Sequence, residues 1–445
     1  MTGTKIRAKA EAAAAAREED RHDAVERTRA EERRRRRRRI VGAAAILGPG
    51  LIAANAGNDA GGIATYASAG AQFTYQTLFV MVFVTVALVL VQEMAARLGA
   101  FTGEGLVSLI REQFPLRAAA FAVVALIVAN VGLVVSEFAG IGAAFEIFGV
   151  SRYLSVPFAA LIIWALVVFG TYRYAERLFL LLSLAFVTYL VAPFLAHPKW
   201  TTVGAQTVIP HFSTTRDFLL LSVALVGTSI TPYMQLYQAA AVVDRGIGPD
   251  DYRMERIDAV AGAIFACVVA MAIIVATGAA IGGTGPLTSA ADAANALRPV
   301  AGDSAKTLFG IGLLGASALA AAVVPLSTAY AVSEAIGVER SVSNKFSEAR
   351  FFIGFFTLQI LIGAGVALAP GNLIDLLINT QILNGFIAPI ILVFLLILTN
   401  RRSVLGDAVN GPRFRVFATI ATTLVAALAL VVAGITVLGW IGIGV

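Results

Sequence analysis

The sequence predicts an all-α polytopic membrane protein in which a 5+5 inverted repeat of helices is followed by an eleventh transmembrane helix. Three observations support this fold class. The composition is too apolar for a soluble domain, and eleven segments are long enough to cross a bilayer. Two of those segments, the first and the sixth, are interrupted near their middle. Interrupted helices at corresponding places in two halves are the sequence sign of an inverted repeat.

The composition sets the protein class. Hydrophobic residues make up 58% of the 445-residue chain and charged residues only 14%, with a mean hydropathy of +0.82. A net charge of +6 is compatible with nucleic-acid binding, but most of the positive charge is in the N-terminal tail and short loops. That distribution is typical of membrane topology, so we expect no nucleic-acid partner. The single cysteine, Cys267, can form no internal disulfide.

The first 39 residues differ sharply from the rest of the chain. Residues 1–39 are predicted to be a charged, basic cytoplasmic tail, and residues 40–445 to be the transmembrane domain. The tail ends in seven arginines, from Arg33 to Arg39, which we expect to lie at anionic lipid headgroups. The apolar segment that follows is too long for a secretory signal, so it is kept as the first span.

The spans and their orientation follow from length and charge. Eleven are predicted, near 42–70 (interrupted), 73–97, 118–147, 153–172, 177–197, 216–243 (interrupted), 256–282, 306–336, 351–369, 373–399 and 415–443. With the N-terminus in the cytoplasm, Lys and Arg favour the cytoplasmic loops by roughly three to one. The C-terminus is therefore predicted to lie outside.

The first interrupted span contains the stretch from Gly48 to Thr65. Asn58, Asp59, Gly61 and Gly62 stand together in its middle, between apolar residues. A carboxylate at that depth costs on the order of 2.5–3.5 kcal/mol on insertion scales, which marks Asp59 as a candidate functional residue. The neighbouring glycines disfavour a continuous helix, and an unwound backbone at this depth is tolerated where it lines a cavity.

The second interrupted span contains the segment from Val226 to Gln235, where Pro232 cannot donate a backbone hydrogen bond. It lies five spans after the first break. The pair predicts a secondary transporter whose site lies near the bilayer midplane between the two breaks, where free carbonyls and helix dipoles can hold an ion. Such a transporter works by alternating access around that site.

At these residues the chain resembles the NRAMP family of divalent metal transporters. The resemblance runs from about Ile46 to Val404 and includes Asp59-Ala60-Gly61-Gly62 followed by Ile63-Ala64-Thr65, then Thr231-Pro232-Tyr233, and Gln381 with Pro389. It implies a LeuT-like fold. Where the family's first signature has an asparagine this chain has Gly62, and where the second has a methionine it has Thr231.

The resemblance also implies metal ligands, which are the Asp59 carboxylate and the carbonyls of Ala56 and Thr228. In this chain the hydroxyls of Thr228 and Thr231 and the Gln381 amide add further candidate ligands, and Gly62 leaves space where the family has an amide. Replacing a thioether by oxygen favours hard cations over transition metals. Magnesium keeps several waters and needs only one or two carboxylates. We therefore expect Mg2+, bound as a largely hydrated ion, with Mn2+ also carried, as in the NRAMP-related magnesium transporter (NRMT) branch.

Further residues are expected around the ion. The side chains predicted to hydrogen-bond to the metal ligands, without binding the metal themselves, are those of Asn55, Asn58, Tyr233 and Asn384. Tyr233 and Gln238 replace family histidines and Val134 replaces an aspartate, whereas Glu137 matches the family's acid and is the candidate for a proton pathway. Proton coupling is therefore expected to be weak or absent.

Other functions were weighed against this one. A conventional proton-coupled Mn2+/Fe2+ importer would share the fold. An amino-acid transporter of the same architecture fits less well, because Asp59 would repel a substrate carboxylate. The spans contain no enzyme motif, so no enzyme activity and no cofactor are expected, the metal being the substrate. A monomer in the plasma (inner) membrane of a prokaryote is predicted.

Overall fold

The computed structural model describes residues 58–169, 188–336 and 350–440, and the regular structure in those ranges is helical. The helices long enough to matter for the site are α1 (Ala60–Phe73), α2 (Leu78–Thr102), α3 (Leu106–Gln113), α4 (Leu116–Ile147), α5 (Arg152–Val168), α6 (Ala192–Leu195), α7 (Trp200–Val208), α8 (Arg216–Ser229), α9 (Pro232–Asp244), α10 (Tyr252–Ile281), α11 (Ala290–Ala294), α12 (Arg298–Ala301), α13 (Ala305–Ile336), α14 (Arg350–Ala367), α15 (Leu373–Thr399), α16 (Arg402–Leu405) and α17 (Pro412–Trp440). The predicted cytoplasmic tail with its seven arginines lies outside the described residues.

Most of the predicted spans correspond to single long helices. Within the described ranges, eight segments are long and apolar enough to cross a membrane, counting α8 and α9 as one. The prediction of 373–399 coincides with α15, and 118–147 begins two residues inside α4. The predicted fourth span corresponds to the shorter helix α5. The fifth span, 177–197, and the first half of the first span fall mostly outside the described residues.

The second span was placed about five residues too early. Helix α1 continues to Phe73, and the chain turns at Thr74, which has a positive φ of 56°. Helix α2 therefore covers Leu78–Thr102 instead of 73–97, and Arg97, where the predicted span ends, lies inside the helix and is only 8% exposed. A span predicted from hydropathy ends at its first charged residues. Here those residues are buried, because they form hydrogen bonds and an ion pair with other parts of the chain.

Those partners form a polar network around Glu93 and Arg97. The Arg97 guanidinium donates to Glu93 Oε2, four residues earlier, at 2.9 Å, and to Asn410. It also donates to the carbonyl of Ala408 at 3.2 Å. The hydroxyl of Tyr252 donates to Glu93. The network therefore joins α2 to the start of α10 and to the chain between α15 and α17.

The segment between α10 and α13, which lies between two predicted spans, contains short helices. Ser289 caps α11, and the Asp292 carboxylate accepts from the backbone and hydroxyl of Thr288. The Thr288 hydroxyl is the largest influence that holds the pKa of Asp292 below its usual value. The Asn372 side chain, at the start of α15, donates to the Thr288 carbonyl at 3.1 Å. This segment is therefore fastened to the end of α15.

The centre of the bundle is packed unusually closely. Helices α8 and α15 are in backbone contact at Gly227, where an added Cβ would lie 2.0 Å from the carbonyl oxygen of Gln381 and 2.4 Å from the nitrogen of Gly385. Small residues at such crossings let membrane helices approach each other closely. The close crossing brings residues of α15 level with the C-terminal end of α8, and α1 packs against both helices and against α4 and α10.

Candidate metal-ion site

Helix α1 begins at the first break, with Asp59 as its N-cap. Asp59 has an extended backbone, with φ −73° and ψ −178°, and its Oδ1 accepts a hydrogen bond of 2.7 Å from the nitrogen of Gly62. Aspartate is favoured at this position because it pairs with a free N–H and lies at the positive end of the helix dipole. The side chain is only 5% exposed. A carboxylate has about four lone-pair positions, so this one hydrogen bond leaves it able to bind a cation.

The second break lies between α8 and α9. Ser229 ends α8, Ile230 has φ −118° and ψ 52°, and Thr231 is the N-cap of α9 with Pro232 in its first turn. Thr231 makes no side-chain capping hydrogen bond, although a threonine at an N-cap commonly does. The hydroxyls of Thr231 and Thr228 are both buried without a hydrogen-bond partner. This break therefore has two buried hydroxyl oxygens that are available to bind a ligand.

A hydrogen bond joins the two breaks. The hydroxyl of Tyr66, on the second turn of α1, lies 3.1 Å from the hydroxyl of Ser229. Both residues are buried. The two interrupted segments, more than 160 residues apart in sequence, therefore meet in the structure as the inverted-repeat pattern predicted.

Helix α15 brings Gln381 against the first break. A Cβ added to Gly61 would lie 1.9 Å from Gln381 Nε2, so the amide occupies the space that a side chain at position 61 would need. Gln381 is fully buried, and neither atom of its amide has a hydrogen-bond partner. Buried polar groups are normally paired. A buried amide that has no hydrogen-bond partner, next to the turn that contains Asp59, is suited to binding a polar or charged ligand.

Helix α4 brings a second carboxyl group to the same turn. Glu137 is fully buried, and its carboxyl group lies beside that of Asp59 and the backbone nitrogen of Ala60. Two neighbouring carboxyl groups repel each other unless a cation or a proton lies between them. Among the described residues, no group of three or more His, Cys, Asp or Glu side chains could hold a metal. The carboxyl groups that meet at this turn are those of Asp59 and Glu137.

The remaining predicted residues differ in where they lie. Asn384 is on α15, fully buried, with both amide atoms unpartnered, and Asn58 directly precedes Asp59 and is 7% exposed. Tyr233 is on the first turn of α9, with its ring 5.9 Å from that of Tyr237. Gly62 is in the first turn of α1 and donates to Asp59. Ala56 and Asn55 lie outside the described residues.

Two serines near the site had no distinguishing signal in the sequence. The Ser136 hydroxyl would lie 2.6 Å from a Cβ on Gly61. The Ser317 hydroxyl, on α13, would lie 2.4 Å from a Cβ on Gly140, which would be equally close to Ala60 Cβ. Serine is common in packed membrane helices. Only the crossing of α1, α4 and α13 places these two hydroxyls beside the first break.

Comparison with solved structures agrees with this arrangement of helices. The chain resembles the manganese transporter of Eremococcus coleocola in complex with an aromatic bis-isothiourea compound, with a TM-score of 0.69, 19% identity and coverage of 90% of this chain and 88% of that one. It also resembles MhsT in complex with L-phenylalanine, with a TM-score of 0.58, 16% identity and coverage of 86% and 97%. The predicted all-helical, LeuT-like fold is confirmed.

Sequence comparison identifies the family. The chain is 27% identical over 386 residues to the divalent metal cation transporter MntH of Aeromonas hydrophila, covering 82% of this chain and 90% of that protein. It is 27% identical over 392 residues to MntH of Yersinia enterocolitica, covering 85% and 92%. The family model described as natural resistance-associated macrophage protein-like matches residues 50–433. The chain therefore belongs to the Nramp family.

Proposed function

We propose that this protein is a secondary transporter for divalent metal cations, which it binds between its two broken helices and carries by alternating access. The observation that carries the proposal is the convergence on one turn of the Asp59 carboxylate with buried oxygen and amide groups that have no other partner. The sequence relatives named as divalent metal cation transporters support it. On this proposal the metal is the substrate, and the protein is not an enzyme.

Mg2+ is the proposed substrate, with Mn2+ also carried, as in the magnesium-transporting branch that the ligand set resembles. The buried groups without a hydrogen-bond partner are the hydroxyls of Thr228 and Thr231 and the amides of Gln381 and Asn384. All of them can bind a cation through oxygen. Carboxylate, carbonyl and water ligands suit magnesium and manganese. Because only one or two carboxylates are present, we propose that the ion keeps most of its water.

Transport on this proposal is driven by the metal gradient and the membrane potential, with little or no proton coupling. Gln238, where the resemblance places a histidine, donates to Glu255 at 2.7 Å and has no titratable ring. Val134, at the position of a family acid, packs against Gly363. A doubly charged ion gains about 4.6 kcal/mol per 100 mV, since each elementary charge contributes about 2.3 kcal/mol. The potential is therefore a sufficient driving force.

Flux into liposomes tests this function. The purified protein is reconstituted with a Mg2+-sensitive dye inside, a K+ diffusion potential is imposed, and the lumenal pH is followed in parallel. We expect Mg2+ entry that Mn2+ competes with, and no metal-dependent acidification of the lumen. Mn2+ entry that is not reduced by excess Mg2+ and that is accompanied by proton entry would contradict the proposal. It would indicate a conventional proton-coupled Mn2+/Fe2+ importer.

The residue at the second break should set the choice of metal. Thr231→Met places a soft thioether where the hydroxyl is now buried and unpartnered. We expect Mg2+ flux to fall and the apparent affinity for Cd2+ to rise by about tenfold, the effect of about 1.4 kcal/mol. Metal competition in the liposome assay measures both changes.

Thr231→Val is the control for that prediction, because it removes the hydroxyl at nearly the same volume and adds no sulfur. It should lower Mg2+ flux without any gain in Cd2+ affinity. If Thr231→Met leaves the Cd2+ affinity equal to that of Thr231→Val, position 231 does not contact the metal.

A further inference from the structure

The geometry assigns a further residue to the ion site. We propose that Ser136 on α4 lies at the hydration shell of the transported ion and accepts a hydrogen bond from one of its water ligands. The inference rests on the proposed function, since it needs an ion that arrives with its water. Ser136 differs from the residues of the broken helices because it belongs to a helix that runs unbroken past the site.

The first step of the argument is position. The hydroxyl of Ser136 and the amide of Gln381 both reach the surface of Gly61, where an added Cβ would lie 2.6 Å from Ser136 Oγ and 1.9 Å from Gln381 Nε2. The next residue of α4 is Glu137, whose carboxyl group lies beside Asp59. Consecutive residues of α4 therefore contact consecutive parts of one short turn. The Ser136 hydroxyl therefore lies against the same turn that carries the Asp59 carboxylate.

The second step is that the Ser136 hydroxyl has not taken the usual partner for its setting. Hydroxyls inside membrane helices commonly bond to the carbonyl four residues earlier. Several in this chain do so, at 2.7–2.9 Å: Thr65, Thr85, Ser222 and Thr399. Ser136 is fully buried, and its Oγ has no hydrogen-bond partner. A buried hydroxyl left unpaired carries a desolvation penalty that a water or ligand would remove.

The third step is chemistry. Water bound to Mg2+ is a strong hydrogen-bond donor, because the ion polarises it and leaves its hydrogens pointing outward. It therefore needs acceptors around it. A serine hydroxyl offers two acceptor lone pairs, and the Gln381 amide on the neighbouring helix carries an oxygen that is also buried without a hydrogen-bond partner. Together with the hydroxyls at the second break, they form neutral acceptors beside the carboxyl groups of Asp59 and Glu137.

The test is the metal dependence of transport by Ser136→Ala and Ser136→Thr in liposomes, with Mg2+ and Mn2+ measured separately. Ser333→Ala is the matched control, because Ser333 is also fully buried with an unpartnered hydroxyl but lies near the far end of α13. We expect Ser136→Ala to raise the KM for Mg2+ by about fivefold to tenfold. Its KM for Mn2+ should change less, because Mn2+ gives up water more readily. Ser136→Thr should restore the KM for Mg2+, and Ser333→Ala should match the wild type.

The outcomes separate this inference from the proposed function. If the wild type carries Mg2+ and Ser136→Ala has the same KM as Ser333→Ala, the role of Ser136 is overturned and the proposed function stands. An equal rise in KM for Mg2+ and Mn2+, without rescue by Ser136→Thr, would also overturn it, because the effect would then be one of packing. If the wild type carries no Mg2+, the choice of substrate fails, and with it the hydrated ion that Ser136 is proposed to contact.

Discussion

Asp59→Asn should reduce Mg2+ flux into liposomes by at least about a hundredfold, while the protein still folds. Asn can keep the hydrogen bond that Asp59 Oδ1 accepts from Gly62, because its side-chain carbonyl oxygen occupies the same place. What it removes is the negative charge from the start of α1. Interactions with charged groups are worth about 1.5–3 kcal/mol each, and a buried charge loses more when its partner is removed. Initial rates over a range of Mg2+ concentrations measure the effect.

The control for this variant is Asp303→Asn, which makes the same change in charge at an exposed residue between α12 and α13. Its flux should equal that of the wild type. Detergent-solubilised Asp59→Asn should elute from size exclusion as the wild type does. Substantial Mg2+ flux through Asp59→Asn would mean that Glu137 holds the ion, or that the ion passes elsewhere.

Gly227→Ala should prevent the transport domain from folding correctly. Its Cβ would lie 2.0 Å from the carbonyl oxygen of Gln381 and 2.4 Å from the nitrogen of Gly385. Both contacts are with backbone atoms, so no change of rotamer relieves them and the helices must move apart. Overpacking a core costs typically 1–3 kcal/mol when side chains can adjust. We expect more than about 3 kcal/mol here, seen as lost monodisperse protein or a much lower Tm.

Gly354→Ala is the matched control. It lies in α14, and an added Cβ there meets nothing within 4 Å. Alanine is the better helix former by up to about 1 kcal/mol, so this variant should be as stable as the wild type or slightly more so. If Gly227→Ala has a Tm equal to that of Gly354→Ala, α8 and α15 are not held as closely as the structure describes.

The two glycines illustrate why part of the fold was predictable and part was not. In the sequence both are small residues in apolar segments. The difference between them is the neighbour that each meets, and that neighbour is a backbone more than 150 residues away for Gly227 and open space for Gly354. Span boundaries were predictable where the hydropathy ends abruptly, as in α15. They were misplaced at α2, where Arg97 is buried by partners in distant segments.

The sequence by itself determined the membrane class, most of the spans, the two broken helices and the family, because each of these is recorded in local composition or in short motifs. It also singled out Asp59, since a carboxylate in an apolar span is unusual wherever the chain folds. The family resemblance named Glu137 and Gln381, but only the tertiary structure decided how these residues and Ser136 are placed around Asp59. Ser136 and Glu137 on α4 and Gln381 on α15 come from two helices far apart in the chain, and they meet at one turn because α1 packs against both helices. No local pattern records which buried hydroxyl or amide stays unpaired, because that depends on neighbours from other helices.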